Sequence, residues 1–300
     1  MALLRENHAF ETRYSPGGDE FIMAEFDEAM SLEVNLAVQQ TARELEGLAI
    51  PGIIDVCPAN VSYLLRYDPE VVTYLDLLKL LKDVEAQAHS RRMHPIATRI
   101  IDLPILFRDP WTHETLMRFR DRVHDPSMTD IAYLADLNGV TEDQLIERIE
   151  DIPGFVTMTG FIPGVLCTFQ LVERRQQIEA PKYLRPRTET PERALGFGGT
   201  SHVVYPVPSA GGYQLVGRAA APVYDTTGSL YDFQDSPALV RIADIYNYRA
   251  ITREEYDHIQ DEVAAGTFRY RQRPVTFDPK TFFEDPPGYC NGLKRELYND

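Results

Sequence analysis

The 300-residue sequence has few cysteines, a single tryptophan and no long apolar run. Its three cysteines, Cys57, Cys167 and Cys290, are far apart and form no Cys-x-x-Cys pair. This spacing excludes a disulfide framework and predicts a reduced, cytoplasmic protein. The longest apolar stretches, such as Ile100–Phe107, are short and interrupted by Asp102, so we expect no contact with a membrane. The sequence has no basic segment followed by an apolar core, so no signal peptide is expected.

Several motifs of enzyme chemistry are also missing. The sequence contains no Gly-x4-Gly-Lys-Ser/Thr loop, which excludes a Walker-type nucleotide site on this chain. It has no Gly-x-Ser-x-Gly elbow and no Ala-Met-Lys-Met-type sequence, so neither a serine hydrolase nor an attached biotin is expected. The seven histidines include no pair with metal-ligand spacing, which predicts that no metal is bound.

The charge is strongly negative overall but positive in one segment. Thirty Lys and Arg stand against 46 Asp and Glu, and this balance argues against a nucleic-acid partner. Residues 173–218 hold seven Lys and Arg against four Glu. This cationic segment indicates a small anionic ligand or an acidic partner surface, although Arg174, Arg175 and Arg193 are expected to be ordinary solvated charges.

The pattern of apolar residues predicts an α+β protein in four parts. Strands at Glu20–Phe26, Gly52–Pro58, Val61–Tyr67 and Arg99–Phe107, with helices from Ser31 to Glu46 and from Asp68 onward, give a β-α-β-β-α-β order over residues 1–108. That order is typical of a ferredoxin-like domain. Residues 109–150 are predicted to form a helical connecting segment, and residues 151–252 a mostly antiparallel sandwich or barrel. Residues 253–300 are predicted to form a helix and a tail that wraps the body or docks on a partner.

Two glycine clusters lie within or beside the cationic segment, at Gly196–Gly199 and Gly211–Gly212. Glycines of this kind form turns between strands, or they let the backbone approach a ligand closely. His202 and Tyr205 follow the first cluster and are three residues apart, so a regular strand directs them to opposite faces. His202 is a candidate proton carrier, with a hydrogen-bonded structural histidine as the alternative.

The motifs around these residues resemble one family, on the stretches Gly160–Gly164, Pro181–Lys182, Pro186–Arg187, Gly196–Gly199, Tyr205–Pro206 and Gly211–Arg218. They are similar to the family that contains KipI, allophanate hydrolase subunit 1 and the corresponding subunit of 5-oxoprolinase, which is also the first half of the carboxyltransferase domain of urea carboxylase. The resemblance covers roughly residues 13–260. It implies a ferredoxin-like N-terminal domain and a cyclophilin-like β-barrel.

The chain looks nearest to the urea carboxylase branch and also resembles the small subunit of acetophenone carboxylase. The resemblance implies a companion of the allophanate hydrolase subunit 2 type or larger carboxylase subunits, and ATP used through the complex. Several pocket positions depart from the family, among them Ser201–Val203 and Ala219. Ile149 stands where the family has a histidine, which argues against the 5-oxoprolinase reaction.

These observations lead to one function and one alternative. The chain is predicted to be a non-biotinylated subunit of an ATP-dependent carboxylase or amide hydrolase that binds a small carbonyl substrate or an activated carboxylate. The alternative is a KipI-like regulatory module without catalysis, for which Phe282–Tyr298 forms a contact surface. The predicted catalytic residues are Arg218, Tyr205 and His202, and the predicted substrate-binding residues are Lys182, Arg187, Gly198, Gly199, Gly211 and Gly212.

Overall fold

A computed structural model describes residues 12–89 and 93–299 of the chain. Two compact units are present. The first consists of the described residues up to Pro95 together with Asp278–Glu284, and the second of Ile96–Phe277 together with the residues from Asp285 onward. Whether the four predicted segments fold as separate domains stays a prediction.

The secondary structure alternates in the first unit and is rich in strands in the second. The strands are β1 Arg13–Pro16, β2 Phe21–Glu25, β3 Ile53–Pro58, β4 Ser62–Tyr67, β5 Ile96–Phe107, β6 Gly154–Met158, β7 Leu166–Gln170, β8 Arg187–Thr190, β9 Ala194–Gly198, β10 Ser201–Val204, β11 Ser209–Gly211, β12 Gln214–Ala219, β13 Ile245–Ala250 and β14 Gln272–Phe277. The helices are α1 Leu32–Gly47, α2 Tyr74–His89, α3 Pro110–Arg118, α4 Asp130–Leu137, α5 Glu142–Asp151, α6 Arg253–Ala264, α7 Pro279–Glu284 and α8 Pro286–Tyr298.

The first unit contains a four-stranded antiparallel sheet in the order β1-β2-β4-β3. Its core joins one face of the sheet to α1 and α2 through Ile22, Val38, Leu65 and Leu81. Ser31 begins α1 as predicted, because its hydroxyl accepts a hydrogen bond from the amide of Val34 and satisfies one of the free amides of the first turn.

The last strand of the predicted ferredoxin-like order lies in a different sheet. The run Arg99–Phe107 is a strand, but it lies within β5 and pairs with β12, β13 and β14 in the second unit. The place beside β2 is taken by β1, whose Arg13 and Tyr14 are registered with Glu25 and Ala24. A strand pattern shows that a segment is extended but does not specify its partner strand.

The second helix begins later than the sequence predicts. Asp68 accepts hydrogen bonds within a turn, and α2 starts only after Thr73, whose hydroxyl accepts from the amide of Asp76. As a result Val71 and Leu75, which a helix from Asp68 would carry on its apolar face, are 58% and 66% exposed. The buried face of α2 is instead formed by Leu77, Leu81, Val84 and Ala88.

The second unit is built on a closed barrel of seven strands, which confirms the α+β class and the barrel. The ring runs β12-β9-β10-β7-β6-β13-β5 and closes where β5 pairs again with β12. Strand β14 is added at the side of β5, antiparallel to its first half. Helices α3 and α4 contact β12, and α5 contacts β13. A single apolar cluster joins the barrel strands to α4, α5 and α6.

The C-terminal residues pack against their own chain. Asp102 on β5 accepts a hydrogen bond from the hydroxyl of Tyr298 at 2.6 Å and lies 2.9 Å from Arg249 of β13. These bonds hold the end of α8 against the barrel. Phe282 of α7 and Leu297 of α8 are buried, so the tail offers few apolar side chains to a partner.

No helix among residues 12–89 and 93–299 is long and apolar enough to cross a membrane. Within the same residues, no group of three or more His, Cys, Asp or Glu is placed to hold a metal ion. The three cysteines are free thiols, of which Cys57 is exposed and the other two are buried.

The closing contact of the barrel predicts the effect of adding one methyl group. A Cβ at Gly217 would lie 2.8 Å from both the Ile105 Cγ2 atom and the Leu106 carbonyl oxygen. We therefore expect Gly217→Ala to lower the free energy of unfolding by about 2 kcal/mol, measured by urea unfolding. The control is Gly292→Ala in α8, where no atom lies within 4 Å and the helix should gain about 0.5–1 kcal/mol. Equal stabilities of the two variants would contradict this account of closure.

Candidate functional site

The two faces of β10 separate the predicted catalytic residues. His202 packs its ring against Phe197 and Tyr248 in the main barrel cluster. Tyr205 belongs to a smaller cluster on the other face, together with Cys167. The prediction that a regular strand places these two side chains on opposite faces is therefore confirmed.

His202 has no access to a ligand. Its side chain is fully buried, and neither ring nitrogen has a hydrogen-bond partner among the described residues. Burial lowers the pKa of His202 to about 3, so the ring is neutral throughout the physiological range. The buried ring gives no support to the predicted role as a proton carrier, and the lack of a partner contradicts the alternative of a hydrogen-bonded structural histidine.

Three of the predicted substrate-binding residues meet around Tyr213 on the face that carries Tyr205. The ammonium of Lys182 is exposed and lies 5.2 Å from the ring centroid of Tyr213. The Cα of Gly198 lies against the same ring, since a Cβ there would be 2.6 Å from Tyr213 Cδ1. The Cα of Gly211 lies against the hydroxyl of Tyr205. We call the surface formed by Lys182, Gly198, Gly211 and Tyr213 the Lys182 face.

The glycines on and near this face have different roles. Gly198 and Gly211 are required by packing, because a side chain at either position would collide with a tyrosine. Gly199 has a φ of 61° and open space around its Cα, and its amide and carbonyl pair with Ala180. Gly212 also has room, with its nearest neighbour, the Lys182 Cβ, at 3.6 Å. Gly199 and Gly212 therefore have open space beside their Cα atoms, although the polar backbone atoms of Gly199 are paired with Ala180 and the Gly212 carbonyl accepts from the Tyr183 amide.

Arg187 lies beneath the Lys182 face and is fully buried. It donates hydrogen bonds to the Thr190 hydroxyl at 3.2 Å and to the Tyr213 carbonyl at 2.8 Å, and its guanidinium lies 4.4 Å from the Tyr183 ring centroid. These contacts fix the chain that carries Tyr213. Arg187 is predicted to bind the substrate directly, but its side chain has no exposed surface that a ligand could contact.

A buried carboxylate continues this arrangement inward. Asp130, at the start of α4, accepts hydrogen bonds from the Tyr183 hydroxyl at 2.6 and 2.7 Å and from the Leu215 amide at 2.8 Å. Burial raises the pKa of Asp130 to about 6, although these donors and the charge of Arg187 act in the opposite direction. Asp130 therefore exchanges its proton near neutral pH.

Asp130 lines a pocket of about 190 Å³ between α3, α4 and β12. A second buried carboxylate in its wall, Asp109, caps α3 by accepting from the amides of Trp111 and Thr112. Neither aspartate is among the site residues that the sequence predicts. Both stand at helix starts, where a carboxylate is usually only a cap, so no local signal shows that they line a pocket.

Arg218 is not part of the Lys182 face. It donates to the Glu192 backbone carbonyl at 3.1 Å and to the Glu192 carboxylate at 3.3 Å. Its guanidinium lies 4.8 Å from the ring centroid of Trp111. Arg193, expected to be a solvated charge, is instead buried beside Arg218. Four cations of the segment thus form two groups with different neighbours, Lys182 with Arg187 and Arg193 with Arg218.

Comparison with known proteins gives a consistent picture. The family described as carboxyltransferase domain, subdomain C and D, matches residues 12–231. The urea amidolyase of Lachancea kluyveri is 25% identical over 285 residues, covering 93% of this chain and 16% of that protein. A 5-oxoprolinase subunit of Bacillus subtilis (strain 168) is 25% identical over 253 residues, covering 82% of this chain and 95% of that protein.

A solved structure shares the fold. The crystal structure of the K. lactis urea amidolyase aligns with a TM-score of 0.82 at 23% identity, over 97% of this chain and 18% of that chain. The chain therefore spans about one sixth of the urea amidolyases that it matches, whereas it spans almost the whole of the 5-oxoprolinase subunit.

The buried histidine predicts a loss of stability in acid. The unfolded chain takes up a proton at His202 below pH 6.5, whereas the folded chain does so only near pH 3. Stability is therefore unaffected by this group above pH 6.5 and falls by roughly 1.4 kcal/mol per pH unit below it. We expect His202→Leu to remove this part of the acid sensitivity in urea unfolding at pH 7 and pH 5. An unchanged difference between the two pH values would contradict the neutral, unpartnered ring.

Asp130 predicts the opposite trend in the same experiment. Its folded pKa of about 6 lies above the usual aspartate value, so the folded state binds the proton first. Stability from this group therefore rises as the pH falls from 6 to 4, again by roughly 1.4 kcal/mol per unit. We expect Asp130→Asn to lose this contribution, so that between pH 6 and pH 4 its stability falls more steeply than that of the wild type, in which Asp130 offsets the loss at His202. A variant whose stability changes over this range as the wild type does would show that Asp130 ionises normally.

Proposed function

This chain belongs to the family of carboxyltransferase domains, subdomains C and D, and on that premise we propose that it is a non-biotinylated subunit or domain of an ATP-dependent carboxylase or amide hydrolase. Its barrel binds a small carbonyl substrate or an activated carboxylate at the Lys182 face. The relatives named as urea amidolyase and as a 5-oxoprolinase subunit support this class of enzyme.

The observation that carries the proposal is the exposed ammonium of Lys182. It lies over Tyr213, within the stretch matched by the family, and it forms no ion pair with the described residues. A cation without an ion-pair partner, beside the open space at Gly212, suits an oxygen that carries or develops negative charge. Tyr205 and the buried Arg187 hold this face in shape rather than contacting the substrate.

The proposal includes partners and a cofactor that act with this chain. Because no nucleotide-binding loop or biotin sequence is present, ATP and any biotin belong to companion subunits of the allophanate hydrolase subunit 2 type or to larger carboxylase subunits. Urea or a related amide is the proposed substrate. Ile149 is buried in the barrel cluster, where the family resemblance expects a histidine, and this argues against 5-oxoproline as the substrate.

Substitution of Lys182 tests the proposal in the assembled enzyme. We expect Lys182→Ala to lower kcat/KM for ATP-dependent turnover at least tenfold, because one charged hydrogen bond contributes roughly 1.5–3 kcal/mol. Lys182→Arg should restore part of the activity. The matched control is Arg185→Ala, which removes an exposed arginine paired with Asp121 at 2.8 Å and should change turnover little.

The opposite result has a clear meaning. Equal turnover of the Lys182→Ala and Arg185→Ala enzymes would refute the Lys182 face as a substrate site. If no ATP-dependent turnover depended on the chain at all, the KipI-like regulatory alternative would replace the proposed enzyme role.

A further inference from the structure

Two arginines form a second cationic group in the barrel unit, apart from the Lys182 face. Arg193 lies between β8 and β9, and Arg218 lies on β12. Their side chains are only 11% and 12% exposed. Burial lowers the pKa of Arg193, and the nearby charge of Arg218 lowers it further. Two buried guanidinium groups of like charge are unfavourable unless an anion lies between them.

Glu192 supplies that anion. One oxygen of its carboxylate lies 3.3 Å from Arg218 Nη2 and 3.6 Å from Arg193 Nε. Unlike the arginines, the Glu192 side chain is 47% exposed, so it covers the pair from the solvent side. An exposed carboxylate on its own chain can therefore be exchanged for another one from solution.

Two buried donors near the arginine pair have no hydrogen-bond partner among the described residues. Arg193 directs Nη1 to the Ala220 carbonyl at 2.8 Å and to Gln260 Oε1 at 3.0 Å, but its Nε has no hydrogen-bond partner among the described residues. The hydroxyl of Tyr256 on α6 also has none, although Tyr256 is 1% exposed. A buried hydroxyl without a partner costs free energy, so its presence needs an explanation.

Tyr256 is close enough to the same two arginines for their charges to affect the pKa of its hydroxyl. Burial raises its pKa, and the positive charges of Arg193 and Arg218 oppose that shift. Its ring centroid lies 5.2 Å from that of Trp111, the single tryptophan of the chain. Arg218 lies over the same indole at 4.8 Å, so Trp111 borders the cluster directly.

The other charged side chains around Trp111 and Arg218 determine the net charge of a suitable ligand. Arg253 also lies over Trp111, at 5.3 Å, but it is paired with Asp257 at 2.8 Å. Asp109 contributes one negative charge near Arg218, with a pKa that burial raises. When Glu192 moves away, the two positive charges of Arg193 and Arg218 are balanced only by the carboxylate of Asp109. One positive charge is then uncompensated, and a ligand with a single negative charge would neutralise it.

We propose that Arg193, Arg218 and Tyr256 form a binding site for a small carboxylate-type monoanion, either bicarbonate or an organic carboxylate, and that Glu192 occupies this site until the ligand displaces it. Two guanidinium groups and a phenol hydroxyl match the oxygens of one carboxylate. This site does not depend on the proposed function, because binding is measured on the chain without turnover.

Trp111 fluorescence provides the test. Purified chain is titrated with sodium acetate and with sodium bicarbonate against sodium chloride at constant ionic strength. We expect saturable changes with at least one of the two anions, and the tighter one identifies the source of the carboxylate. Glu192→Gln should bind roughly tenfold more tightly, because the competing negative charge is gone and the two arginines are left without an anion between them.

A pair of tyrosine variants separates binding from folding. Tyr256→Phe should weaken binding roughly three- to tenfold, the effect of losing one hydrogen bond, while its thermal unfolding stays unchanged or improves. Tyr246→Phe is the matched control, since Tyr246 is also fully buried with an unpartnered hydroxyl but lies on β13. Absence of saturable change in both wild type and Glu192→Gln, or equal affinities of the two phenylalanine variants, would overturn the proposal.

Discussion

The pairing of β5 along both of its edges is the constraint on which the second unit depends. One edge of β5 pairs in parallel with β13. The other edge pairs with β14 along the first half of β5 and with β12 along the second half. A strand of 12 residues is long enough for both partners. Because the barrel is closed, no strand of the ring presents a free edge, and the side chains of β9, β10 and β12 keep fixed positions.

This closure explains why neighbouring residues serve different sites. On β10, the His202 side chain packs into the main cluster. The side chain of Tyr205, just beyond the strand, lies on the opposite side, next to the Lys182 face. Along β12 a register shift follows Leu215. Beyond it, Arg218 contacts Glu192 and Trp111 and does not lie beside Lys182. One segment of sequence thus supplies cations to two separate groups.

Local patterns predict the elements better than their partners. The capping serine of α1, the barrel strands and the opposite faces of His202 and Tyr205 follow from periodicity and capping, which act over a few residues. The partner of β5 depends on contacts more than a hundred residues away, so periodicity does not specify it. Arg193 is expected in solvent because a single arginine is usually a solvated surface charge, yet it is buried, with a φ of 65° and a hydrogen bond to the Ala220 carbonyl. Asp130 gives no signal in the sequence because its helix-start pattern is the same whether or not a pocket lies beside it.

Isolation of the chain from its source, with its complexes intact, is the decisive measurement of whether it works as part of a larger ATP-dependent enzyme. The enzyme role predicts recovery with large carboxylase or hydrolase subunits, and ATP hydrolysis by that assembly that requires both bicarbonate and a small amide such as urea. Recovery of the chain alone or with a signalling protein, without any ATP-dependent turnover, would contradict the enzyme role and favour a regulatory module.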